Sequence, residues 1–267
     1  MLRAVRDLQG YAINATDGVI GVAADFLFDD DDWTVRYLVV DTGSWLHERQ
    51  VLVSPIAVGA PDWVGTRLPV SLTRAQVEHS PAIETVQPVS RDHEAEYLRY
   101  YGYPSYWGGD GLWGMSAFPG GVTSDDAVIE NLRATGSPDM TPSGADSHLH
   151  SIATLTGVRV HASDGEIGHV ENMLLDDQTW ALRYLVIDTS NWWGGQHVLV
   201  PPQWIHGVNW TDRTLAVSMT REAVKAAPPY TPESPLDREQ ERAIYRHYDH
   251  PGYWTAKAPR DLAQRRH

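Results

Sequence analysis

The sequence predicts an all-β protein of two small β-barrels in tandem, each followed by a short helix and an aromatic-rich helical arm. Two observations support this prediction. The chain of 267 residues repeats itself without a gap, and each copy alternates apolar and polar side chains with the period of two that is typical of strands. Turn residues separate these short segments, which favours small closed barrels.

The internal repeat has a constant spacing. Residues 36–42, RYLVVDT, return at 183–189 as RYLVIDT, a shift of 147 positions. With this shift, about 38 of the 100 positions from 8 to 107 carry the same residue as their counterparts, whereas about one in fifteen is expected by chance. The chain is therefore a duplication, and we call residues 1–107 copy 1 and residues 148–254 copy 2.

Copy 1 is predicted to consist mainly of short strands. Residues 19–28 and 34–42 predict two strands joined by an acidic turn, and residues 50–53 and 66–70 predict two shorter ones. Thr73 predicts the N-cap of a short helix. Copy 2 is expected to repeat this order at the shifted positions.

Turns and strand ends recur at the same places in both copies. An Asp-Gly pair precedes the first long strand and predicts a hairpin turn, because glycine adopts the positive φ of a tight reversal. Another glycine follows three residues later, and an Asp-Thr pair ends the most apolar strand. The predicted turn and strand-end residues are Asp17, Gly18, Gly21 and Asp41 in copy 1 and Asp164, Gly165, Gly168 and Asp188 in copy 2.

Each barrel is predicted to be followed by an aromatic arm. Residues 90–101 and 237–248 predict capped helices, each leading to a Tyr-Trp pair. An arm either folds back over its own barrel or crosses to another barrel, which gives swapped dimers or filaments. The predicted interface residues are Tyr97, Tyr100, Tyr101, Tyr103, Tyr106, Trp107 and Trp113 for the first arm and Tyr245, Tyr248, Tyr253 and Trp254 for the second.

The repeat and the composition predict five segments. The stretch between the copies is rich in Gly, Ser, Pro and Asp, which is typical of a linker, and it contains one predicted short helix at 124–132. The predicted boundaries are barrel 1 at 1–85, arm 1 at 86–107, linker at 108–147, barrel 2 at 148–232, and arm 2 with a basic tail at 233–267.

Composition excludes several classes of function. The chain has no cysteine, which excludes disulfides, thiolate metal sites and cysteine nucleophiles. Its net charge of −14 argues against nucleic acid or an anionic membrane as a partner. The sequence offers no apolar run of about 18 residues and no apolar signal-peptide core at its start, so we expect a cytoplasmic protein without direct membrane insertion.

Two groups of aspartates are candidates for chemistry. The run 29–32, four consecutive aspartates, could hold a hard cation such as Ca²⁺. It lacks the spaced loop of a calcium motif, and copy 2 keeps only Asp176 and Asp177, so a solvated hairpin turn is the favoured interpretation. Asp41 and Asp188 could act as an acid or base, but no nucleophile recurs with them. An aspartate that closes a strand into a turn is common, and this structural interpretation is the one we favour for both.

Histidines are the other candidates. His148 and His150 would share one face of a strand, as a metal site requires, but the sequence indicates no third ligand. The Gly-rich stretches lack the strand and lysine of a phosphate loop, and no nucleophile elbow is present. We therefore predict no catalytic, cofactor-binding or metal-binding residue and no cofactor, and we expect a protein that is not an enzyme.

The segment 17–21, DGVIG, followed by 36–42 and by VLVSP at 51–55, resembles the PRC-barrel family. Copy 2 resembles it through 164–168, 183–189 and 198–202. The resemblance covers about residues 2–80 and 149–227 and implies a PRC-type β-barrel in each copy. The family takes its name from the photosynthetic reaction-centre H subunit and also occurs in a ribosome maturation factor. Its members act as docking modules that bind proteins, without shared catalytic residues.

Three functions remain open on this basis. The first is a non-enzymatic scaffold or adaptor that binds protein partners or copies of itself, as a dimer, another homo-oligomer or a filament. The second is a stress-related protein that binds a small ligand or a metal between the barrels. The third, a soluble accessory of a photosynthetic complex of the reaction-centre type, rests on family analogy.

Overall fold

The computed structural model describes residues 1–81, 89–107, 109–121, 148–190, 196–232 and 234–255. These residues form mostly β-sheet, in two sheets. The strands of copy 1 are β1 (Leu2–Ala4), β2 (Ala12–Ala15), β3 (Gly18–Asp29), β4 (Thr34–Asp41), β5 (Gln50–Val53) and β6 (Arg67–Pro69). Its helices are α1 (Val5–Leu8), α2 (Arg74–Glu78) and α3 (Arg91–Tyr101).

Copy 2 repeats this order with one additional strand. Its strands are β7 (Leu149–Ser151), β8 (Arg159–Ala162), β9 (Gly165–Asp176), β10 (Leu182–Asp188), β11 (His197–Val200), β12 (Ile205–Asn209) and β13 (Thr214–Val217). Its helices are α4 (Ile152–Leu155), α5 (Arg221–Lys225) and α6 (Arg238–His247). Short 3₁₀ turns lie at Gly43–Leu46, Pro55–Ala57, Pro119–Gly121, Pro202–Trp204 and Tyr253–Thr255.

The described residues divide into two compact units. The N-terminal unit contains those within 8–151 together with residues 178–180, and the C-terminal unit contains 1–7, those within 152–177 and those from 181 onward. The predicted boundaries at 85, 107, 147 and 232 fall on or beside residues outside the described ranges and stay predictions. The helix predicted at 124–132 also lies outside the described residues.

The N-terminal unit has a six-stranded sheet of order β5-β4-β3-β2-β6, with β7 also paired to β3. The C-terminal unit has the order β11-β10-β9-β8-β13-β12, with β1 also paired to β9. Under the repeat, β1 and β7 occupy equivalent positions. The first strand of each copy therefore belongs to the unit that is built mainly from the other copy, which the sequence pattern did not predict.

The predicted closed barrels are wrong in one respect, because neither sheet closes within the described ranges. β5 and β6 are the two ends of one path, and β11 and β12 are the two ends of the other. In the N-terminal unit, the segment beside β6 makes only local contacts with it: the N–H of Gly59 donates to the carbonyl of Pro69 at 2.8 Å, and Val58 forms an isolated bridge with Val70. The 3₁₀ turn Pro55–Ala57 ends the ladder after β5.

The predicted turn and strand-end residues occupy the same positions in both units. Asp17 Oδ1 accepts a hydrogen bond from the backbone N–H of Arg74 at 2.8 Å, and Asp164 Oδ1 does so from Arg221 at 2.8 Å. The predicted positive φ is present at Gly18 and Gly165. Thr73 caps α2, as its sequence predicts: its Oγ1 accepts from the N–H of Gln76 at 3.2 Å, and its own N–H donates to Gln76 Oε1 at 2.8 Å.

The second repeated glycine, Gly21 in copy 1 and Gly168 in copy 2, lies where two backbone segments approach closely. A Cβ atom at Gly21 would lie 2.1 Å from the carbonyl oxygen of Asp41, and one at Gly168 would lie 2.0 Å from that of Asp188. Both glycines also have positive φ. The repeated glycine thus allows β3 and β9 to pass tightly against the ends of β4 and β10.

The strand β4 is buried on both faces, since seven of its eight residues are buried. Successive side chains of a strand point to opposite faces. Tyr37 and Val39 contact Tyr97 and Leu98 of α3, which lie in one apolar cluster with them. The arm therefore covers one face of this sheet.

Candidate functional site

Each arm packs against the sheet of its own unit, which is the first of the two alternatives for the arms. In the N-terminal unit, the ring of Tyr97 lies edge-on to that of Tyr37, with centroids 5.1 Å apart. The Tyr97 hydroxyl donates to the carbonyl of Leu52 at 3.1 Å and accepts from the N–H of Ser54 at 3.0 Å. These bonds join α3 to the end of β5.

The second arm makes comparable contacts with different residues. Tyr245 packs edge-on to Trp204, with ring centroids 5.3 Å apart, and its hydroxyl accepts a hydrogen bond from Gln203. Tyr248 lies against the same indole at 4.8 Å. The arm of the C-terminal unit thus packs on the 3₁₀ turn that follows β11.

The predicted interface residues are mostly covered by these contacts. Tyr97, Tyr106, Trp113 and Tyr245 are buried, and Tyr101, Tyr103, Trp107, Tyr248, Tyr253 and Trp254 are half-buried. Tyr100 is the exposed member, with 41% of its surface accessible, and its hydroxyl donates to the carbonyl of Gln76 on α2. Binding of another molecule through these side chains stays a prediction, and Tyr100 is the one most accessible for it.

A buried carboxylate joins the arm to the sheet in the N-terminal unit. Glu94 of α3 is 1% exposed, and its Oε1 accepts from the hydroxyls of Tyr37 at 3.2 Å and Tyr106 at 2.6 Å. Its Oε2 pairs with Arg91 at 3.1 Å. Since Tyr37 lies on β4 and Tyr106 follows α3, one carboxylate ties three segments together.

A buried arginine extends this arrangement to the acidic turn. Arg36 of β4 pairs with Asp29 at 3.5 Å and with Asp32 at 3.1 Å, and its guanidinium lies 3.8 Å from the centre of the Tyr106 ring. Arg36 also donates to the carbonyl of Leu112. We call Asp29, Arg36, Tyr37, Arg91, Glu94, Tyr106 and Trp107 the Glu94 cluster, in which Arg91 lies 4.9 Å from the Trp107 ring.

The C-terminal unit contains the same cluster. Glu241 Oε1 accepts from Tyr184 at 3.0 Å and from Tyr253 at 2.9 Å, and its Oε2 pairs with Arg238 at 3.0 Å. Arg183 stacks on Tyr253 at 4.3 Å. All seven members are identical under the repeat shift, and we call them the Glu241 cluster: Asp176, Arg183, Tyr184, Arg238, Glu241, Tyr253 and Trp254.

Burial controls the protonation of the Glu94 cluster. Desolvation raises the pKa of Glu94, and the charge of Arg91 and the tyrosine hydroxyls offset only part of this effect. Burial also raises the pKa of Tyr37 and Tyr106 well above the usual range, so both remain hydrogen-bond donors at neutral pH. The partners of Glu94 belong to the protein itself, and the geometry is that of a structural link between arm and sheet.

The two strand-end aspartates form turns, which is the structural alternative for them. Asp41 Oδ1 accepts from the N–H of Gly43 at 2.9 Å, and Asp188 Oδ1 accepts from that of Ser190 at 2.7 Å. Burial acts to raise the pKa of Asp188, but the hydrogen bonds from Ser190 and the nearby His169 outweigh it and lower that pKa. An acid with a lowered pKa is ionised at neutral pH and suits a turn acceptor better than a proton donor.

The N-terminal unit exposes apolar side chains where copy 2 has polar ones. Val19 is 52% exposed and Val22 is 42% exposed on β3, whereas their repeat counterparts are Glu166 and His169. Beside them, the indole of Trp45 donates to the carbonyl of Ile20 at 2.6 Å and stacks under the guanidinium of Arg74 at 4.4 Å. We call Val19, Val22, Trp45 and Arg74 the valine patch.

The acidic turn and the histidine pair, which the sequence presents separately, lie together in the N-terminal unit. Asp29 and Asp32 face Arg36, while Asp31 faces His148 and Asp30 faces His150. Desolvation and the neighbouring Asp29 raise the pKa of Asp31, and His148 offsets part of this rise. The turn is therefore not a uniformly solvated run of carboxylates.

A groove of about 550 Å³ lies in the C-terminal unit, with charged residues at its wall. There Glu171 pairs with His197 at 2.7 Å and with Arg6 at 3.2 Å. A ligand in this groove would have to displace these contacts. The small-ligand alternative, which the sequence places between the barrels, stays a prediction.

Sequence reasoning missed both buried clusters, although a signal was present. Arg91, Glu94 and the Tyr-Trp pair at 106–107 are identical in the two copies although they lie beyond the segments that resemble the PRC barrel. Glu94 lies in a helical segment rich in charged residues, so the segment alone does not indicate that its side chain is buried. Its exact return after 147 positions, together with Arg36 and Tyr37, was the available signal.

The comparison with protein families finds a match within copy 2. The model of the PRC-barrel domain matches residues 148–222, a range that includes β7 to β13. No curated protein matches the chain. Among the described residues, no helix has both the length and the apolar character that crossing a membrane requires. Residues 148–222 of the chain therefore belong to the PRC-barrel domain family.

Proposed function

We propose that the protein is a non-enzymatic scaffold or adaptor that binds proteins, including further copies of itself, through the valine patch. PRC-barrel domains often mediate protein interactions. In this proposal the chain is a tandem of two PRC-type domains, and the N-terminal unit is the second example of the fold. The shared positions of the Glu94 and Glu241 clusters support the tandem, because seven identical residues make equivalent contacts.

The observation that carries the proposal is the exposure of Val19 and Val22. A strand face that is polar in copy 2 has become apolar in copy 1, at positions related by the repeat. Interface cores are depleted in charge, and tryptophan and arginine are the side chains that most often dominate binding energy. Trp45 and Arg74 place both types beside the valines.

The distribution of other exposed apolar side chains favours the same unit. Among the described residues, the large hydrophobic side chains with high exposure lie in the N-terminal unit except for Met1; they are Val19, Val22, Val64, Tyr100, Met115 and Phe118. Scattered exposed apolar residues are normal in soluble proteins. Two of them on one strand beside a stacked Trp-Arg pair form a site that a protein surface can cover.

The arms have a different role in this proposal. Their aromatic side chains hold α3 and α6 onto the sheets, and Tyr100 is left to contribute to binding. The ligand-binding alternative stays a prediction beside this proposal. A cytoplasmic location is part of the same proposal, since a chain of 267 residues without cysteine suits a compartment in which disulfides are not used.

The test compares the double variant Val19→Glu/Val22→Glu with the wild type. Light scattering over a concentration series measures self-association, and cross-linking in cells followed by affinity capture measures binding of other proteins. We expect the wild type to assemble or to retain specific proteins, and the double variant to lose that binding because burying two carboxylates in an apolar contact is costly.

His169→Glu is the matched control, because it adds a carboxylate at the equivalent position of copy 2. Circular dichroism and thermal unfolding establish that both variants fold. The proposal is wrong if the folded double variant assembles and retains the same proteins as the wild type. It is also wrong if the wild type stays monomeric and captures only proteins that the double variant captures as well.

A further inference from the structure

The acidic turn at 29–32 and the histidine pair His148 and His150 lie close together where β7 pairs with β3 in the N-terminal unit. The strands are antiparallel, with Leu149 opposite Asp29 and His150 opposite Phe28. The backbone N–H of Asp30 donates to the carbonyl of His148 at 3.1 Å, which continues the same register. Because side chains alternate along a strand, both histidines share one face with Asp30.

The side-chain distances place each of the two imidazoles beside one carboxylate of the turn. His150 Nε2 lies 3.1 Å from Asp30 Oδ2, and His148 Nδ1 lies 3.4 Å from Asp31 Oδ2. One ligand atom each of Asp30, Asp31 and His148 lies within 4.8 Å of the other two. Two ligands of one zinc ion, each about 2.1 Å from it, are at most about 4.2 Å apart, so these three atoms lie close to the separation that one shared ion allows.

The other two aspartates of the turn are already neutralised. Asp29 Oδ2 lies 3.5 Å from Arg36 and 3.8 Å from Arg91, and Asp32 Oδ2 lies 3.1 Å from Arg36. The arginines therefore account for two of the four negative charges. Asp30 and Asp31 have histidines opposite them instead, and imidazole nitrogens and carboxylate oxygens are both ligands of zinc.

At the equivalent position of the C-terminal unit, the aspartate pairs with cationic groups instead of histidines. Asp177 is the repeat counterpart of Asp30, and it pairs with Arg3 at 3.7 Å and with the amino group of Met1 at 2.5 Å. Arg3 is the counterpart of His150. The same backbone pairing thus places an arginine beside Asp177 in the C-terminal unit and a histidine beside Asp30 in the N-terminal unit.

We propose that Asp30, Asp31, His148 and His150 bind one divalent transition-metal ion, with Zn²⁺ as the best match. Two imidazole nitrogens and two carboxylate oxygens supply the four ligands of a tetrahedral zinc site. The ion replaces the two His–Asp pairs and fixes β7 against the β3–β4 turn. This site is independent of the valine patch and lies entirely in the N-terminal unit.

The experiment uses the full chain without a histidine tag, stripped of metal by a chelator. Isothermal titration with Zn²⁺, together with elemental analysis after dialysis, measures the stoichiometry. We expect one tight equivalent per chain in the wild type and its loss in His150→Arg, which installs the residue of the equivalent position in copy 2. His206→Arg, a change at an exposed histidine on β12, is the control and is expected to keep the equivalent.

A second variant and a second measurement guard against misfolding. Asp31→Asn changes an exposed turn side chain and is expected to weaken zinc binding without altering the circular dichroism spectrum. Zn²⁺ should raise the melting temperature of the wild type and of His206→Arg but not of His150→Arg. The proposal is overturned if the wild type takes up no zinc, or if His150→Arg and Asp31→Asn bind it as tightly as His206→Arg.

Discussion

At the scale of single residues, the most informative group is the buried Glu94. Its carboxylate has three side-chain partners from the sheet and the arm, and desolvation nevertheless raises its pKa. The folded state therefore binds this proton more tightly than the unfolded state. Its contribution to stability is present below the unfolded pKa of about 4.5 and is lost as the pH rises through the folded pKa.

The first prediction concerns the pH dependence of stability in Glu94→Gln. Because glutamine does not titrate, the free energy of unfolding of the variant should improve relative to that of the wild type as the pH rises from below 4.5 toward neutrality. Urea unfolding at several pH values measures this difference. Glu241→Gln removes the equivalent contacts from the other unit and controls for loss of hydrogen bonds. A Glu94→Gln difference that does not vary with pH contradicts the prediction.

The second prediction concerns the repeated glycine. Gly21→Ala forces a Cβ atom to within 2.1 Å of the Asp41 carbonyl oxygen, whereas Gly43, also at positive φ, has nothing within 4 Å of the same position. We expect Gly43→Ala to lose about 1 kcal/mol of stability from backbone strain alone and Gly21→Ala to lose clearly more. Equilibrium urea unfolding compares them, and equal losses would show that the close approach is unimportant.

At the scale of elements, the two arms are parts of their units. Leu98 is buried, with 4% exposure, in the cluster of α3 with β4 and β5. The arms were predicted from their caps and aromatic residues, and Ser90 and Asp237 do cap α3 and α6. Which surface an arm covers could not be predicted, because helix propensity and capping are local properties while packing depends on residues far along the chain.

The third prediction tests this packing with Leu98→Ala. Loss of a buried leucine is expected to cost about 2 to 5 kcal/mol and to loosen α3 from β4. Hydrogen-exchange mass spectrometry should show faster exchange in α3 and in β4. Arg99→Ala, a change at an exposed residue of the same helix, is the control. Unchanged exchange in β4 would show that the arm does not contribute to the stability of the sheet.

At the scale of the whole molecule, the first strand of each copy pairs within the unit that is built mainly from the other copy. Two copies that folded independently would each keep their own first strand. β1 pairs with β9, and β7 pairs with β3. A three-residue strand carries no periodic signal, so the sequence pattern did not predict either pairing. This pairing also brings the histidines of copy 2 to the acidic turn of copy 1. In the sequence, the aspartate run and the histidine pair therefore stand as two separate features, far apart in the chain.

The fourth prediction follows from this pairing of the first strands. Arg3→Pro removes a backbone donor from β1, where Arg3 lies opposite Leu175. Although residue 3 belongs to copy 1, we expect faster hydrogen exchange in β9 of the C-terminal unit and no such effect in β3. His150→Pro is the reciprocal variant, and its effect should appear in β3. The pairing is refuted if Arg3→Pro loosens β3 and leaves β9 unchanged.

The sequence by itself determined the duplication, the β class, the turns at Asp17 and Asp164, and the capped helices, because each depends on neighbours in the chain or on direct comparison of the copies. Only the tertiary structure decided that the sheets do not close among the described residues, that Glu94 is buried, and that His150 lies beside Asp30. Those facts depend on which distant segments meet. Local periodicity carries no information about such meetings, because the same strand pattern is compatible with several neighbours.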